Sequence, residues 1–291
     1  MKFENTIVSN FEGAFRGLRN PLESWNRSDS VFGITNLDSM LDYDIASLYC
    51  EKEGISIEDV DDYDTHQSDY AEWLRKNGIL KWDDFFQNFE YAYIGPKDLD
   101  LAHRMIKAGS SDSKFLRQIN VSVDITAPLY WWKELDTYKI GTVANSTSTM
   151  HKLATTPITK NCFELADFTP TLEFEREREI LDEGIFGVYM QDFRDELIDR
   201  LEYLRIKYLE TKDKRYWKEL IRWLPESWLQ IRTWTANYQT LRNIVSQRKN
   251  HRLKYEWDSF IAWCQTLPYA DDLIFYNNGY NNGYILHNLL S

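Results

Sequence analysis

Residues 237–256 read NYQTLRNIVSQRKNHRLKYE. Asn237 follows an apolar, β-like run at 228–236 and precedes residues with helical periodicity. It is therefore predicted to be a helix N-cap whose side chain satisfies an otherwise unpaired backbone N–H. Leu241, Ile244 and Val245, then Leu253, Trp257, Phe260, Ile261 and Cys264, recur at three- and four-residue steps. That spacing predicts one continuous helix carrying Asn237, Asn243 and Arg248, with one buried stripe. Arg248 lies close to the stripe. A guanidinium there needs an anionic partner, and a phosphate matches its planar fork of donors, the other reading being an internal salt bridge.

Two further blocks lie upstream. Residues 118–126 alternate strictly, with Ile119, Val121, Val123 and Ile125 on one phase and Asn120, Ser122 and Asp124 on the other, which predicts a half-buried strand. Pro128 should stop that strand and suits the first turn of a following helix. Residues 222–237, RWLPESWLQIRTWTAN, set a Leu-Pro pair ahead of a second strand that runs into Asn237.

In order and spacing these blocks resemble the flavin-dependent thymidylate synthase (ThyX) family. In that family an Asn opens the signature helix, a second Asn follows six residues on, and an Arg five after that, matching Asn237, Asn243 and Arg248. The family's following HAQWE stands here as HRLKYE, residues 251–256. The string DITAPLYWWKE, 124–134, resembles its strand end, Ala-Pro and helix, with Lys133 and Glu134 where Arg-Gln is usual. Leu224 and Pro225 keep register with Asn237, and LAHRMIKAGSSDSKF, 101–115, is similar to the family's short helix and turn. The blocks cover roughly a third of the chain and imply a core at 101–264, between a divergent 1–100 portion and a 265–291 extension of a single domain.

The resemblance implies an α+β fold, with a central, mostly antiparallel sheet flanked by helices, and a homotetramer with shared sites. It also implies reductive methylation of dUMP, a pyrimidine deoxynucleotide, with FAD, methylenetetrahydrofolate and NADPH. That reaction needs no protein nucleophile, since cofactor and substrates carry the reactive atoms. Carried over residue by residue, Asn237, Asn243, Lys139 and Gln118 would touch flavin. Arg248 and Arg222 would hold phosphate, and Ser146 or Ser148, the catalytic candidates, would orient the nucleotide.

The hallmark Arg-His-Arg, however, falls on Thr137, Tyr138 and Lys139. The motif's closing Arg-Tyr falls on Met150 and His151, Gln239 stands where Arg is common, and Gln118 replaces a His. Arg222 sits one residue closer to the Pro than in the family. A hydrogen bond to a charged group contributes about 1.5–3 kcal/mol, so each loss weakens a site roughly ten- to hundredfold. Three such losses would remove useful affinity for the pyrophosphate of FAD unless Lys139, Arg232 or Arg242 compensates. A monophosphate would retain Arg248, with Arg222 and the hydroxyls of Ser146, Thr147 and Ser148. Two functions therefore stand side by side: a divergent ThyX-like enzyme, and an inactive nucleotide-binding or protein-interaction protein on the same scaffold. A pyrimidine modification other than methylation is a third.

The rest of the sequence excludes more than it assigns. At 291 residues the chain can bury a sizeable core, and a net charge of −12 argues against broad binding to nucleic acid or anionic membrane. No apolar run has the length to span a bilayer and no secretory leader is evident, so the cytoplasm is expected. Cys50, Cys162 and Cys264 are dispersed and read as reduced thiols, and no metal site is indicated. The acidic stretch 51–64 lacks the glycine and terminal glutamate of an EF-hand and reads as a solvated loop. Phe193, Leu197, Leu201, Leu204 and Tyr208 mark a long amphipathic helical insertion, expected to pack on the sheet or in a subunit interface. The 11 Trp and 18 Tyr point to core and subunit contacts. The tail YNNGYNNGY, 276–284, reads as successive tight turns.

Overall fold

The computed structural model describes residues 1–35, 49–51, 54, 89–165 and 190–279. Strand β1 (Lys2–Ser9) leads into α1 (Phe11–Arg19), and β2 (Val31–Thr35), β3 (Phe89–Tyr93) and α2 (Pro96–Ala108) come later in the chain. Then come β4 (Asn120–Pro128), α3 (Leu129–Leu135), β5 (Val143–Ser146), the short α4 (Thr149–Lys152), α5 (Met190–Thr211) and α6 (Lys214–Trp223). β6 (Leu229–Asn237), α7 (Tyr238–Arg248), α8 (Lys254–Gln265) and one π-helical turn at Asp271–Phe275 complete the described chain. Four strands form one sheet in the order β1-β4-β6-β5, and β2 pairs with β3 antiparallel, Val31 opposite Tyr93 through Thr35 opposite Phe89. The mixed helix-and-sheet class expected from the sequence is present.

β4 shows why its residues make a strand. Val121, Val123, Ile125 and Ala127 are fully buried, while Ser122, Asp124 and Thr126 between them are partly exposed and Asn120 is exposed. A one-residue slip would turn every buried side chain to the other face, and each Val or Ile contributes about 1.5–3 kcal/mol by burial. Pro128 ends the strand as expected and serves as the N-cap of α3 rather than as its first helical residue.

The chain divides into two compact units: Met1–Glu4, Val123–Lys139 and Ala144–Trp234 form the first, and Asn5–Ser122, Ile140–Val143 and Thr235–Ser291 the second. In the first unit, Leu153, Ile158, Phe163, Ile198, Leu201 and Leu220 make a buried cluster, with Leu197, Leu204 and Trp228 packed against it. The expected amphipathic helix is α5, and its buried stripe packs on this cluster and α6. Phe193 is a correction: it is 51% exposed, because it lies about 80° around the helix from Leu201. Arg205 takes an inward position instead. It bonds the carboxylate of Glu202 and the Ala154 carbonyl, and Glu202 also accepts from the Ile158 N–H at 2.7 Å.

In the second unit, Phe11, Ala14, Phe15 and Leu18 bury one face of α1. Arg19 is buried at its end and donates Nε–H to Asp98 of α2 at 2.5 Å. Asp98 is fully buried and also accepts from the hydroxyls of Ser28 and Ser30. Asp29 meanwhile accepts from the Lys97 and Asp98 backbone N–H groups at 2.9 and 3.1 Å, closing the start of α2. Trp257, Phe260, Ile261 and Cys264 bury the inner face of α8. Burial pushes the Cys264 thiol well above its ordinary range.

The single helix expected from the stripe is in fact two. α7 ends at Arg248 and α8 begins at Lys254. Four polar residues, Lys249–Arg252, follow Arg248 before Leu253 caps α8. The chain turns there, with the His251 N–H donating to the Arg248 carbonyl at 3.0 Å and the Leu253 N–H to His251 Nδ1 at 3.1 Å. Asn237, Asn243 and Arg248 do share one helix and its cap, as the sequence predicts.

The first Asn-Asn-Gly of the tail is a turn, with Asn277 and Gly279 at φ 52° and 64°; the second repeat lies outside the described residues. So does the acidic stretch apart from Glu51 and Gly54. Among the described residues no helix is long and apolar enough to cross a membrane.

Candidate functional site

The sequence-predicted residues fall into two groups, one in each unit. In the first unit, Ser146 closes β5 and is exposed, while Ser148 is half-buried and its carbonyl accepts from the Lys152 N–H at 2.9 Å at the start of α4. The two serines flank Thr147, which is tied to β6 by three hydrogen bonds. Its N–H donates to the Ile231 carbonyl at 2.9 Å, its hydroxyl donates to the same carbonyl at 3.2 Å, and its own carbonyl accepts from Gln230 Nε2 at 2.8 Å.

Gln230 is 8% exposed and is held from three sides. Its Oε1 accepts from Arg232 Nε at 2.9 Å, and its backbone carbonyl accepts from the Trp132 indole at 3.1 Å. Arg232 places its guanidinium carbon 4.3 Å over the Trp132 ring, and its Nη1 donates to both Asp136 oxygens at 2.8 and 3.0 Å. Its Nε and Nη1 are thus engaged within the chain.

Thr137, Tyr138 and Lys139 follow α3, the Thr137 and Tyr138 N–H groups donating to the Glu134 and Leu135 carbonyls at 3.2 and 3.0 Å. Thr137 donates its hydroxyl to the Glu134 carbonyl at 2.7 Å, and Lys139 is exposed. Arg222 lies in the last turn of α6, more than half exposed, and pairs with Glu219 at 2.8 Å on its own helix. Glu219 is held below the ordinary carboxylate range by that hydrogen bond.

In the second unit, Asn237 Oδ1 accepts from the Thr240 N–H at 3.0 Å, which makes it the N-cap of α7. The Thr240 hydroxyl reaches Asn237 Oδ1 and the Ile140 carbonyl. Gly141, at φ 73°, passes so close that a Cβ there would sit 2.6 Å from Asn237 Nδ2; both the positive φ and the contact demand glycine. Gln239, standing where the family commonly has Arg, is buried. It accepts from the Ser113 hydroxyl at 3.2 Å and donates to Asn243 Oδ1 at 3.0 Å. Gln118 is exposed, and its carbonyl accepts from Asn10. Arg242 donates to the Ile274 carbonyl, and burial lowers its pKa.

Arg248 ends α7 half-buried, its guanidinium carbon 4.8 Å over the ring of Trp257, which is fully buried. His251 sets its ring edge-on to the same indole at 5.9 Å, and its Nδ1 accepts from the Leu253 N–H. The indole therefore orients a cation at the end of the helix. Arg248 and Asn237 were legible from spacing. The aromatic platform was not, because Trp257 belongs to the next helix. In the first unit Gln230 and Arg232 went unrecognised as a network, although they share the inward phase of β6 with Trp234 and Ala236. Polar residues on a buried strand phase were the signal for it.

No protein-family profile matches this chain, and no curated protein matches it. Among solved structures, a flavin-dependent thymidylate synthase ThyX from Helicobacter pylori complexed with FAD and dUMP is 18% identical. It covers 85% of this chain and 98% of its own, with a TM-score of 0.43. A UMP/dUMP methylase, PolB, from Streptomyces cacaoi bound with 5-Br UMP is 12% identical over 63% of this chain and 84% of its own, again with a TM-score of 0.43.

Proposed function

We propose that this chain binds a pyrimidine deoxynucleoside monophosphate, dUMP being the concrete candidate, on a scaffold of the ThyX kind. The observation that carries the reading is α7. A capping Asn opens it and an Arg ends it eleven residues later, with the Arg guanidinium oriented on a buried indole. A guanidinium so placed suits a phosphate. The Ser146–Ser148 segment supplies two serine hydroxyls on a backbone fixed by Gln230, and Arg222 pairs, among the described residues, with the exposed Glu219 of its own helix. In this reading Arg248 in the second unit and Arg222 in the first are each a candidate for the phosphate, and Ser146 or Ser148 for orienting the nucleotide.

The residues that stand for the flavin site offer the pyrophosphate of FAD little positive charge. Asn237 Oδ1 is committed to the cap and Asn243 Oδ1 to Gln239, and Lys139 is the one cation among the three hallmark positions. Nucleotide binding without reductive methylation is the function proposed.

Calorimetric titration with dUMP tests this. Arg248→Ala is expected to weaken binding about ten- to hundredfold. Equal affinity in the variant and the parent, or no binding by the parent at millimolar dUMP, would overturn the reading. A parallel titration with FAD, followed by visible absorbance, is expected to show no uptake; saturable uptake would restore the enzyme reading.

A further inference from the structure

We propose that Arg232 is a positioning residue for the Ser146–Ser148 segment, acting through Gln230, and that it thereby sets how well this segment receives the phosphate of a nucleotide. The second half rests on the nucleotide-binding reading.

The geometry is a relay of donors and acceptors. A primary amide presents an acceptor at one end and a donor at the other, and which end faces a carbonyl decides between attraction and repulsion. Arg232 has no acceptor, so its Nε–H at 2.9 Å assigns Oε1 to the Gln230 atom facing it and leaves Nε2 facing the Thr147 carbonyl at 2.8 Å. The guanidinium is itself fixed. Trp132 lies beneath it at 4.3 Å, the two Asp136 oxygens take Nη1, and the same Trp132 anchors the Gln230 carbonyl. Arg232 is 16% exposed in its side chain and Gln230 is 8% exposed, so water competes weakly for these bonds. The partners come from α3, the Thr147 segment and β6, and sequence separations of 83 to 98 residues tie the three together.

Amide hydrogen exchange at Thr147 in the full-length protein reads the relay, because its N–H donates to Ile231. Arg232→Met keeps a long side chain over Trp132 and removes the donors. Exchange at 146–148 is expected to rise about tenfold, while α5 and α8 are unchanged. Gln230→Glu gives a pH signature that mere packing would not. Ionised, its carboxylate faces the Thr147 carbonyl and loosens the segment. Protonated, its O–H replaces the amide donor, so the variant-to-parent exchange ratio should return toward one as pH falls through the carboxyl pKa. Should Arg232→Met fail to fold, Asp136→Asn on the half-exposed partner loosens the guanidinium more gently and is read in the same way.

The dUMP dissociation constant is measured on the same variants, and is expected to rise about tenfold in step with exchange. Faster exchange in variants of a parent that binds no dUMP would uphold the relay and overturn its link to phosphate. Unchanged exchange in Arg232→Met, with a flat pH ratio in Gln230→Glu, would overturn the positioning role itself.

Discussion

Two arginine–carboxylate pairs, one in each unit, show how differently the same chemistry is used. Arg19 and Asp98 join α1 to α2 across 79 residues, with both side chains nearly inaccessible and two serine hydroxyls completing the carboxylate's shell. Arg222 and Glu219 sit three residues apart on α6 with side chains 58% and 39% exposed. Removing one member of the first pair strands a charge in a low-dielectric interior. Removing one member of the second returns the other to water, where it is already largely solvated. The buried pair is committed to holding helices together, whereas the exposed one leaves its arginine open to exchange its partner for a ligand.

The largest test of that contrast is Asp98→Ala, which should destabilise the protein by about 3–5 kcal/mol in urea unfolding. A loss no greater than that of a surface substitution would break the comparison. Replacing both members, Arg19→Met with Asp98→Leu, should recover most of the loss and would separate the cost of an orphaned charge from the worth of the pair. Next in size is Leu201→Ala in the other unit, expected to cost about 2–5 kcal/mol by leaving a cavity; this sets an apolar reference against which the ionic loss is read.

A smaller effect is expected from the intermediate pair Arg205–Glu202. The hydrogen bond from Arg205 holds Glu202 below its ordinary value of 4.5. A carboxylate with a depressed folded-state pKa contributes stability that is present above the unfolded value and lost as pH falls through the folded one. Unfolding midpoints measured down through about pH 5 to 3 should therefore fall more steeply for the parent than for Glu202→Gln. The smallest effect on stability belongs to Arg222→Ala, whose unfolding midpoint should match the parent within error. If Arg222 serves phosphate, its dUMP affinity should still drop about tenfold.

Local pattern made part of this molecule legible. β4 was readable because the side chains buried along it from Val121 to Ala127 fall on one phase, and the α7 cap because Asn237 sits where a strand phase gives way to a helical one. The break after Arg248 was hidden because the apolar stripe resumes at helical spacing in α8, so periodicity runs across a turn that only the polar Lys249–Arg252 run betrays. Arg19–Asp98 and Arg232–Asp136 were out of reach for a different reason. Their partners lie 79 and 96 residues apart, and no periodicity links positions that meet only by folding. The Arg222–Glu219 pair, at three residues, follows from helical geometry alone.

The placement of the thiols gives each unit its own clock. Cys162 is half-buried in the first unit, whereas Cys264 in the second is fully enclosed and its thiolate is suppressed by burial. Since only the thiolate attacks an alkylating reagent, Cys162 should be modified while the protein is native and Cys264 only when the interior around α8 opens. In a Cys50→Ser background, the lag between the two reactions reports how long the second unit stays shut, without a fluorophore or a ligand.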